Sequence, residues 1–218
     1  MSKIVVSGEL KKTPVHLIAC GMMREEMEVV FEGFAAAGRP VPAGVTYLDP
    51  ALHVRLERLE AALDDSFRQL VPVCGRGRVQ AVYGRLCHPD LPDLVARHGG
   101  TPPAVDNCFG YLLGPEKKRL EAEASTYFLT TGWLARWEKI FRVDHGWDEV
   151  DARLNLGLFE RIVLIDDGLH PYGDEDILAF FDYAQVPIEI VPANLEHLAK
   201  SLLTLLEPAE SEPGQAAV

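Results

Sequence analysis

The chain has 218 residues, of which 48% are hydrophobic and 25% charged, as in globular proteins with one substantial core. The net charge of −12 argues against a nucleic-acid partner, because binding to a phosphate backbone depends on Lys and Arg. No apolar run is long enough to span a membrane, and the first residues lack the order of a signal peptide. We therefore expect a cytoplasmic protein with reduced cysteines, whose partners are small molecules, metals or proteins.

The first half of the chain alternates short apolar runs with amphipathic stretches. The run Val15–Cys20, followed by MMREEMEVVFEGFAAAG, predicts a strand, a tight turn and a helix. Residues 52–70 carry leucines at helical spacing, which predicts a long amphipathic helix. Further strands are predicted at residues 45–48, 80–83 and 104–108, with a short helix in LPDLVARHG before the last of them.

The second half is less regular at its start. Between residues 114 and 133, EKKRLEAEA indicates a helix and TYFLTTGW an extended, aromatic-rich segment. Helical patterns follow in LARWEKIFRV and in residues 150–159, and RIVLIDDG is the clearest strand. After it come a helix in GDEDILAFFDYAQ, a strand in PIEIV and a helix in ANLEHLAKSLLTLLE.

The alternation of strands and helices predicts an α/β fold with three layers and a mostly parallel sheet, Rossmann-like or flavodoxin-like, with an irregular insertion. We expect one α/β domain over residues 1–206 and a disordered tail, EPAESEPGQAAV, over residues 207–218. In such sheets, ligands bind beyond the carboxyl ends of the strands.

Three cysteines fall at predicted strand exits and therefore at one rim of the sheet: Cys20, Cys87 and Cys108. Three thiolates can hold zinc with an open fourth position, or three irons of a four-iron cluster. The alternative is that each cysteine is a small buried apolar residue, which is common for this residue type. Cys74 has no strand before it and is expected to be a bystander. His88 could supply a fourth ligand, or lie in a surface loop.

Other candidate site residues follow the same strands. Asp167 and His170 lie beyond RIVLIDDG and are the candidate catalytic residues, with Asp167 as a general base or a group that positions water. Because consecutive strand residues face opposite sides, at most one of Asp166 and Asp167 should face the site; the alternative is a turn aspartate that bonds its own backbone. Tyr83, Gly84 and Trp133 are the candidate cofactor contacts, although aromatic residues are more often core.

Familiar phosphate-binding and hydrolase motifs do not occur in this sequence. It contains neither GxxxxGK[ST] nor a GxGxxG after the first strand, and neither GxSxG nor HExxH. These absences weigh against a nucleotide hydrolase, a dinucleotide enzyme, a serine hydrolase and a zincin.

Four segments in a fixed order resemble a known family of uncharacterised proteins, DUF1638: CGMMREEME, YGRLC, DNCFGYLLG and STYFLTTGW. Members of that family show a CG near the first strand, a YGxC, an HDC followed by an apolar LLG, and a GTYYLTxGW segment. The resemblance covers residues 15–200 and falls on Cys20, Cys87 and Cys108, while it passes over Cys74.

The sequence departs from the family pattern at three points. One additional residue separates Gly84 from Cys87, Asn107 stands where the family has aspartate, and His88 stands where glycine is usual. Family members are often encoded near corrinoid-dependent methyltransferase systems. The resemblance thus implies one-carbon metabolism, with a corrinoid as a candidate cofactor and a corrinoid protein or methyltransferase as a candidate partner.

Three hypotheses follow. In the first, Cys20, Cys87 and Cys108 bind zinc or an iron–sulfur cluster and serve methyl or other one-carbon group transfer on a small-molecule substrate. In the second, the chain is a non-catalytic accessory module that binds a corrinoid or a partner, and its cysteines are packed. In the third, one cysteine is a nucleophile helped by His88 or His170. An oligomer is compatible with each of them.

Overall fold

The computed structural model describes residues 14–207, apart from the side chains of residues 53 and 54. The tail predicted over residues 207–218 lies outside the described residues except for residue 207. Residues 1–13, where no signal-peptide pattern is predicted, also lie outside the described residues. The account that follows concerns the described part of the chain.

Three parallel strands form the first sheet: β1 (His16–Cys20), β2 (Gly44–Leu48) and β3 (Val79–Val82). β1 lies in the centre, in the order β2-β1-β3, with Ile18 paired to Thr46 on one side and to Ala81 on the other. The short apolar runs predicted from the sequence are thus strands of one sheet, and their parallel pairing follows from the helices that connect them.

A second parallel sheet comprises β4 (Thr126–Thr130), β5 (Arg161–Asp166) and β6 (Ile188–Pro192), in the order β4-β5-β6. The predicted α/β fold with parallel strands is therefore confirmed. The strands are divided between two small sheets, one in each half of the described chain.

Nine α-helices are present among the described residues, and a π-helical segment spans Glu138–Asp144. Single 3₁₀ turns lie at Gly21–Met23 and Pro50–Val54. The α-helices are α1 (Arg24–Ala36), α2 (Leu56–Cys74), α3 (Leu91–Arg97), α4 (Cys108–Leu113), α5 (Pro115–Glu123), α6 (Thr131–Leu134), α7 (Glu149–Leu156), α8 (Asp174–Ala184) and α9 (Glu196–Leu206).

Alternate residues of the first sheet pack against helices on opposite faces. Leu17 and Ala19 of β1 lie in one apolar cluster with α1, α4 and α9. Ile18 lies in a second cluster with α2 and α3. Because successive strand residues point to opposite faces, this alternation produces the three layers that the sequence predicts.

The second sheet is covered in the same way. Leu129, Ile162 and Leu164 pack with the π-helical segment, α7 and α8, whereas Phe128 and Val163 pack with residues of α4 and α5. α4 contributes to a core cluster of each sheet, through Leu112 in the first and Leu113 in the second. This short helix therefore joins the two halves.

One predicted strand is wrong. Residues 101–107 have no regular structure, and Cys108 begins α4 instead of ending a strand. Asn107 is the N-cap of α4, where its side-chain oxygen accepts a hydrogen bond from the Gly110 N–H at 3.3 Å. The apolar residues that resembled a strand are thus a loop and a first helical turn, because a capping side chain favours helix initiation at this point.

The long second helix also begins later than the leucine spacing predicts. Asp49 caps a 3₁₀ turn by accepting a hydrogen bond from the Ala51 N–H at 2.9 Å, and α2 starts only at Leu56. Within residues 14–207, no helix combines the length and the apolar character needed to cross a bilayer.

The carboxyl-terminal helix α9 returns from the second sheet to the first. Its residues Leu198, Leu202 and Leu206 are buried in the cluster that holds β1 and α1. The three leucines recur at i, i+4 and i+8, so one face of the helix is apolar and covers the first sheet.

We predict that Leu202→Ala lowers the free energy of unfolding by about 2–5 kcal/mol, because the fully buried side chain leaves a cavity. Chemical denaturation with a circular dichroism readout measures this change. Lys200→Ala, at an exposed position of the same helix, is the matched control and should change stability by no more than about 0.5 kcal/mol. Equal losses in the two variants would contradict this packing of α9.

Candidate functional site

The first sheet has a topological switch point at its centre. β1 is flanked by β2 and β3, so the chain leaves β1 toward one side and reaches β3 on the other. The carboxyl ends of β1 and β3 therefore border the crevice where ligands bind in open parallel sheets. Cys20 is the last residue of β1, and Tyr83 and Gly84 directly follow β3.

A close backbone contact brings the other two predicted cysteines to this edge. The loop after β3 runs beside the segment before α4, with hydrogen bonds from Arg85 N–H to Val105 O at 2.8 Å and from Leu86 N–H to Asp106 O at 2.9 Å. Cys87 lies in this loop, and Cys108 follows the segment as the first residue of α4.

Gly84 is the point where the two segments touch. A β-carbon on Gly84 would lie 2.2 Å from the Cα atom of Asn107 and 2.3 Å from the Asp106 carbonyl oxygen. Such distances are far below van der Waals contact, and the neighbouring atoms belong to backbone that cannot turn aside. Glycine is therefore required here by close backbone approach, and not by a positive φ angle.

Cys20, Cys87 and Cys108, which we call the thiol rim, influence one another electrostatically. Burial raises the pKa of all three thiols, that of Cys20 to about 11. The presence of Cys87 raises the pKa of Cys20 further, and both of these raise the pKa of Cys108. At neutral pH the rim is thus a group of neutral thiols, in which forming one thiolate makes the next more costly.

Backbone hydrogen bonds oppose this effect at each sulfur. They involve Met22 for Cys20, Gly84 for Cys87 and Phe109 for Cys108, and each lowers the pKa of its thiol. The loops therefore present polar backbone groups to all three sulfurs, although burial outweighs them. All four free cysteines of the chain, including Cys74, are partly exposed.

Tyr83 places a buried hydroxyl next to the thiol rim. The residue is 4% exposed, and its hydroxyl has no hydrogen-bond partner among the described residues. Burial raises the pKa of Tyr83, and the nearby Cys20 and Cys87 raise it further. The Tyr111 hydroxyl donates to the Tyr83 carbonyl oxygen at 3.3 Å, which fixes the backbone at the exit of β3.

A buried glutamate that sequence reasoning missed also lies at this edge. Glu26 is 3% exposed and shares the buried face of α1 with Met27, Val30 and Phe34. Burial raises its pKa to about 7, and the neighbouring Asp167 and Glu25 contribute to the rise. The signal was present in CGMMREEMEVV, since a glutamate three residues after Met23 and one before Met27 falls in the apolar stripe.

The carboxylate of Asp167 faces Glu26 from the end of β5. Asp167 Oδ1 accepts hydrogen bonds from Thr131 Oγ1 at 3.1 Å and from the Leu169 N–H at 3.0 Å. The Oδ2 atom of Asp167 is buried and has no hydrogen-bond partner among the described residues, and the nearby Asp167 carboxylate raises the pKa of Glu26. Asp166 is held in another way, because it accepts from the Gly168 N–H and from the Tyr172 hydroxyl. One of the two aspartates thus faces the first half of the chain, as strand alternation requires.

His170 lies beside this carboxylate pair. Its Nε2 atom is 2.9 Å from Oε2 of Glu25, and its ring packs on Gly132, where a β-carbon would lie 2.9 Å from Nε2. Arg136 also contacts Glu25, at 2.9 Å. His170 therefore helps to join α1 to the second half of the chain.

The remaining candidates are engaged in contacts of their own. Trp133 is buried in the core of the second sheet, with its ring 6.0 Å from Phe109. His88 is buried, and its ring nitrogens face the Asp90 N–H at 3.1 Å and Glu60 at 3.9 Å. Cys74 ends α2, before the amino end of β3, and so lies at the opposite edge of the sheet.

Among residues 14–207, no group of three or more His, Cys, Asp or Glu side chains is arranged to hold a metal ion. The chemistry of the thiol rim suits a thiophilic cation, but the sulfurs do not form a closed ligand shell in this conformation. What the arrangement offers is three neutral thiols and a buried phenol at one switch point.

These features define an α/β protein with a cysteine-rich site at the carboxyl edge of a parallel sheet. The chain belongs to a family described as protein of unknown function (DUF1638), whose model matches residues 47–202. The match includes Cys87, Cys108 and Asp167, while Cys20 and Glu26 precede it. No curated protein and no solved structure matches the chain.

We predict that Gly84→Ala displaces the segment before α4 and lowers the free energy of unfolding by about 1–3 kcal/mol, because its β-carbon would overlap backbone atoms. Faster alkylation of Cys87 and Cys108 should accompany the loss. Gly33→Ala is the matched control, since nothing lies within 4 Å of its β-carbon and alanine favours a helix. Thermal unfolding and thiol titration measure both effects, and unchanged thiol reactivity in Gly84→Ala would contradict the contact.

We predict that Glu26→Gln changes how stability depends on pH. The folded-state pKa of Glu26, about 7, exceeds its ordinary value of 4.5, so the folded protein holds this proton more tightly than the unfolded chain does. The resulting stability is complete below the ordinary value and is lost as pH rises through the folded value. The pKa difference corresponds to roughly 3 kcal/mol.

Glutamine cannot ionise and has nearly the same size and shape as the protonated glutamic acid side chain. The variant should therefore gain stability relative to the wild type between about pH 5 and about pH 8, by up to roughly 3 kcal/mol. Urea denaturation at several pH values measures the difference. Glu32→Gln, at an exposed position of the same helix, is the control. Parallel pH profiles for wild type and Glu26→Gln would contradict the assignment.

Proposed function

We propose that the thiol rim binds a thiophilic metal centre, zinc or an iron–sulfur cluster, and that the chain acts in one-carbon or methyl-group transfer on a small-molecule substrate. The observation that carries the proposal is the meeting of Cys20, Cys87 and Cys108, from three separate segments, at the switch point of the first sheet. Ligand sites of parallel sheets occur at this position.

The protonation state of the rim supports a cation as its ligand. Neutral thiols are weak nucleophiles and weak ligands; here burial raises the pKa of each thiol, and neighbouring thiols raise those of Cys20 and Cys108 further. A nearby positive ion reverses this balance, because a coordinating thiol loses its proton. Zinc supplies Lewis acidity, which holds a substrate thiol or water in its deprotonated, nucleophilic form at neutral pH.

The side chains around the rim suit the task of binding and orienting a substrate. The backbone hydrogen bonds at Met22, Gly84 and Phe109 favour negative charge on the three sulfurs. The unpartnered Tyr83 hydroxyl is available to a ligand in the same crevice. Binding a metal would require the sulfurs to turn toward a common point, since the described conformation holds no closed ligand group.

The one-carbon part of the proposal rests on the family resemblance alone. The same is true of a corrinoid as cofactor and of a corrinoid protein or methyltransferase as partner. The alternative is the non-catalytic accessory role, in which the cysteines are packed and bind nothing. Corrinoid binding by cysteine variants distinguishes it from the metal-site proposal. Binding of a corrinoid would then survive the exchange of any cysteine.

A cysteine nucleophile is the second candidate function. It requires one thiol whose pKa is well below those of the others, whereas burial raises the pKa of Cys20, Cys87 and Cys108 alike. The histidines proposed as its helpers are engaged with acidic partners, His170 with Glu25 and His88 with Glu60. These contacts favour the metal proposal over the nucleophile.

We predict that protein purified without oxygen carries about one metal centre per chain, and that Cys108→Ser reduces its metal affinity roughly tenfold or more. Elemental analysis gives the metal, and a visible absorption spectrum distinguishes a cluster or corrinoid from zinc. Cys74→Ser is the matched control and should retain the metal. The proposal would be contradicted if the native protein contained no metal, had four titratable thiols and took up no added zinc or iron.

A further inference from the structure

A cavity of about 280 Å³ lies between the end of α4, the start of α5 and the helix α9. Two lysines and a histidine line it: Lys117, Lys118 and His197. Most of its other walls are small or apolar residues of the α4–α5 turn and of the segment before α4. Sites for small molecules are concave and largely apolar, with a few polar groups and volumes from roughly 300 Å³ upward. This cavity, which we call the lysine cavity, therefore has the size of a site for a small ligand.

The lysine cavity is positively charged in an acidic protein. The net charge of the chain is −12, and residues 14–207 contain four lysines, at positions 117, 118, 139 and 200. Two of these four line the cavity. The side chain of Lys118 is exposed and forms neither an ion pair nor a hydrogen bond with another described residue. Its charge is therefore available to an anion.

Lys117 is a buried cation with one acidic partner. The residue is 5% exposed, its Nζ atom forms an ion pair with Glu121, and the same atom lies 5.5 Å from the centre of the Phe128 ring. An ammonium group has three N–H donors, and Glu121 supplies the one acceptor that Lys117 has among the described residues. Because buried donors without acceptors are costly, a further acceptor in the cavity would stabilise this side chain.

Gly114 brings the ring of His197 to the turn between α4 and α5. The φ angle of Gly114 is +55°, in the region that favours glycine, and a β-carbon there would lie 2.6 Å from Nδ1 of His197. Among the described residues, the ring nitrogens of His197 have no hydrogen-bond partner. At least one ring nitrogen of a histidine carries a proton in every protonation state, so His197 can donate to a ligand oxygen.

The start of α5 adds a further source of positive potential. No side chain caps this nine-residue helix, and the carboxylate of Glu116 in its first turn is bound to Arg119. The unpaired N–H groups and the dipole at the start of a helix favour anions. Asp106 is the acidic residue of the cavity wall, and its carboxylate is paired with Arg85 at 2.7 Å. The balance of charge in the cavity therefore favours an anionic ligand.

We propose that the lysine cavity binds the phosphate group of a small ligand, either inorganic phosphate or a phosphate monoester. Lysine binds phosphate as a point charge, whereas planar carboxylates are typically bound by the two parallel N–H bonds of an arginine. None of the described residues that line the cavity is an arginine. At about 280 Å³, the cavity has room for a short organic group besides the phosphate.

The lysine cavity is distinct from the thiol rim. Cys20, Cys87 and Cys108 are not among the described residues that line it. The helix α4 connects the two places, since it begins at Cys108 and ends one residue before Gly114, about 9 Å further along the helix axis. Phosphate binding in the cavity therefore does not depend on a metal in the thiol rim.

Isothermal titration calorimetry of the full chain, after treatment with a chelator, tests this site with inorganic phosphate and with glycerol 3-phosphate. We expect one bound ligand per chain and an affinity that falls as salt is added. The tighter of the two ligands identifies the occupant as free phosphate or as a monoester. Absence of binding by both at about 10 mM, or tighter binding of succinate than of either, would overturn the proposal.

Two variants of one exposed side chain locate the bound phosphate. Lys118→Ala should weaken binding roughly tenfold, because one charge-assisted hydrogen bond is lost, and Lys118→Glu should weaken it further. Lys139→Ala removes the same charge from an exposed position outside the cavity and is the matched control. Unchanged affinity in Lys118→Ala, or an equal loss in Lys139→Ala, would contradict binding in the cavity.

Cys108→Ser distinguishes the cavity from a phosphate that is bound to a metal in the thiol rim, since metal ions also bind phosphate. We expect this variant to bind phosphate as the wild type does, whatever its metal content. Loss of phosphate binding in Cys108→Ser together with full binding in Lys118→Ala would place the phosphate at the rim and overturn the proposal. Metal-free protein that binds phosphate through Lys118 would overturn the proposed metal centre and leave the phosphate site intact.

Discussion

The candidate site depends on one backbone contact, in which the segment before α4 lies against Gly84. Two hydrogen bonds hold this contact, from Arg85 to Val105 and from Leu86 to Asp106. Between the exit of β3 and Cys108 the chain forms α3 and then an irregular loop, and this contact brings that loop back to the edge of the sheet. The same contact sets the position of α4, whose apolar residues enter the cores of both sheets. Gly84, which has no room for a β-carbon, thus determines the position of the thiol rim and of the helix that joins the two halves.

The electrostatics of the site follow from this enforced proximity. Thiols, a phenol and carboxyls are acids. The pKa of each is raised when its neighbours are also acids and when burial excludes water. Burial is the largest cause of the raised pKa of Cys20, Glu26 and Tyr83 alike. A bound cation relieves such an arrangement, because it favours the ionised forms of its neighbours. An overall net charge of −12 adds to the attraction for cations.

Much of the fold could be predicted from the sequence, because its elements are encoded locally. The apolar run RIVLIDDG is a buried parallel strand, and the leucines of α9 repeat at helical spacing. The run around Cys108 was misread because a capping Asn107 and a strand end look alike when only apolar residues are counted. The division into two sheets could not be predicted, since periodicity carries no information about which strands pair.

The site was partly predictable for a related reason. The sequence pattern indicates where a strand ends, and it therefore predicts Cys20 and Asp167 as site residues. Glu26 was missed because a single charge within an apolar stripe of α1 is read as the edge of its polar face. Its character depends on Asp167, which lies far away in the chain and is brought near only by the meeting of the two halves.

Asn107 is best understood through these same charges. As the N-cap of α4 it needs one side-chain oxygen that accepts a hydrogen bond from Gly110, which asparagine supplies as well as the aspartate of the family pattern would. Aspartate would add a negative charge one residue before Cys108, whose pKa is already raised by burial, by Cys20, by Cys87 and by Glu26. Asparagine keeps the cap and omits that charge, so ionising Cys108 is less costly here than it would be beside aspartate.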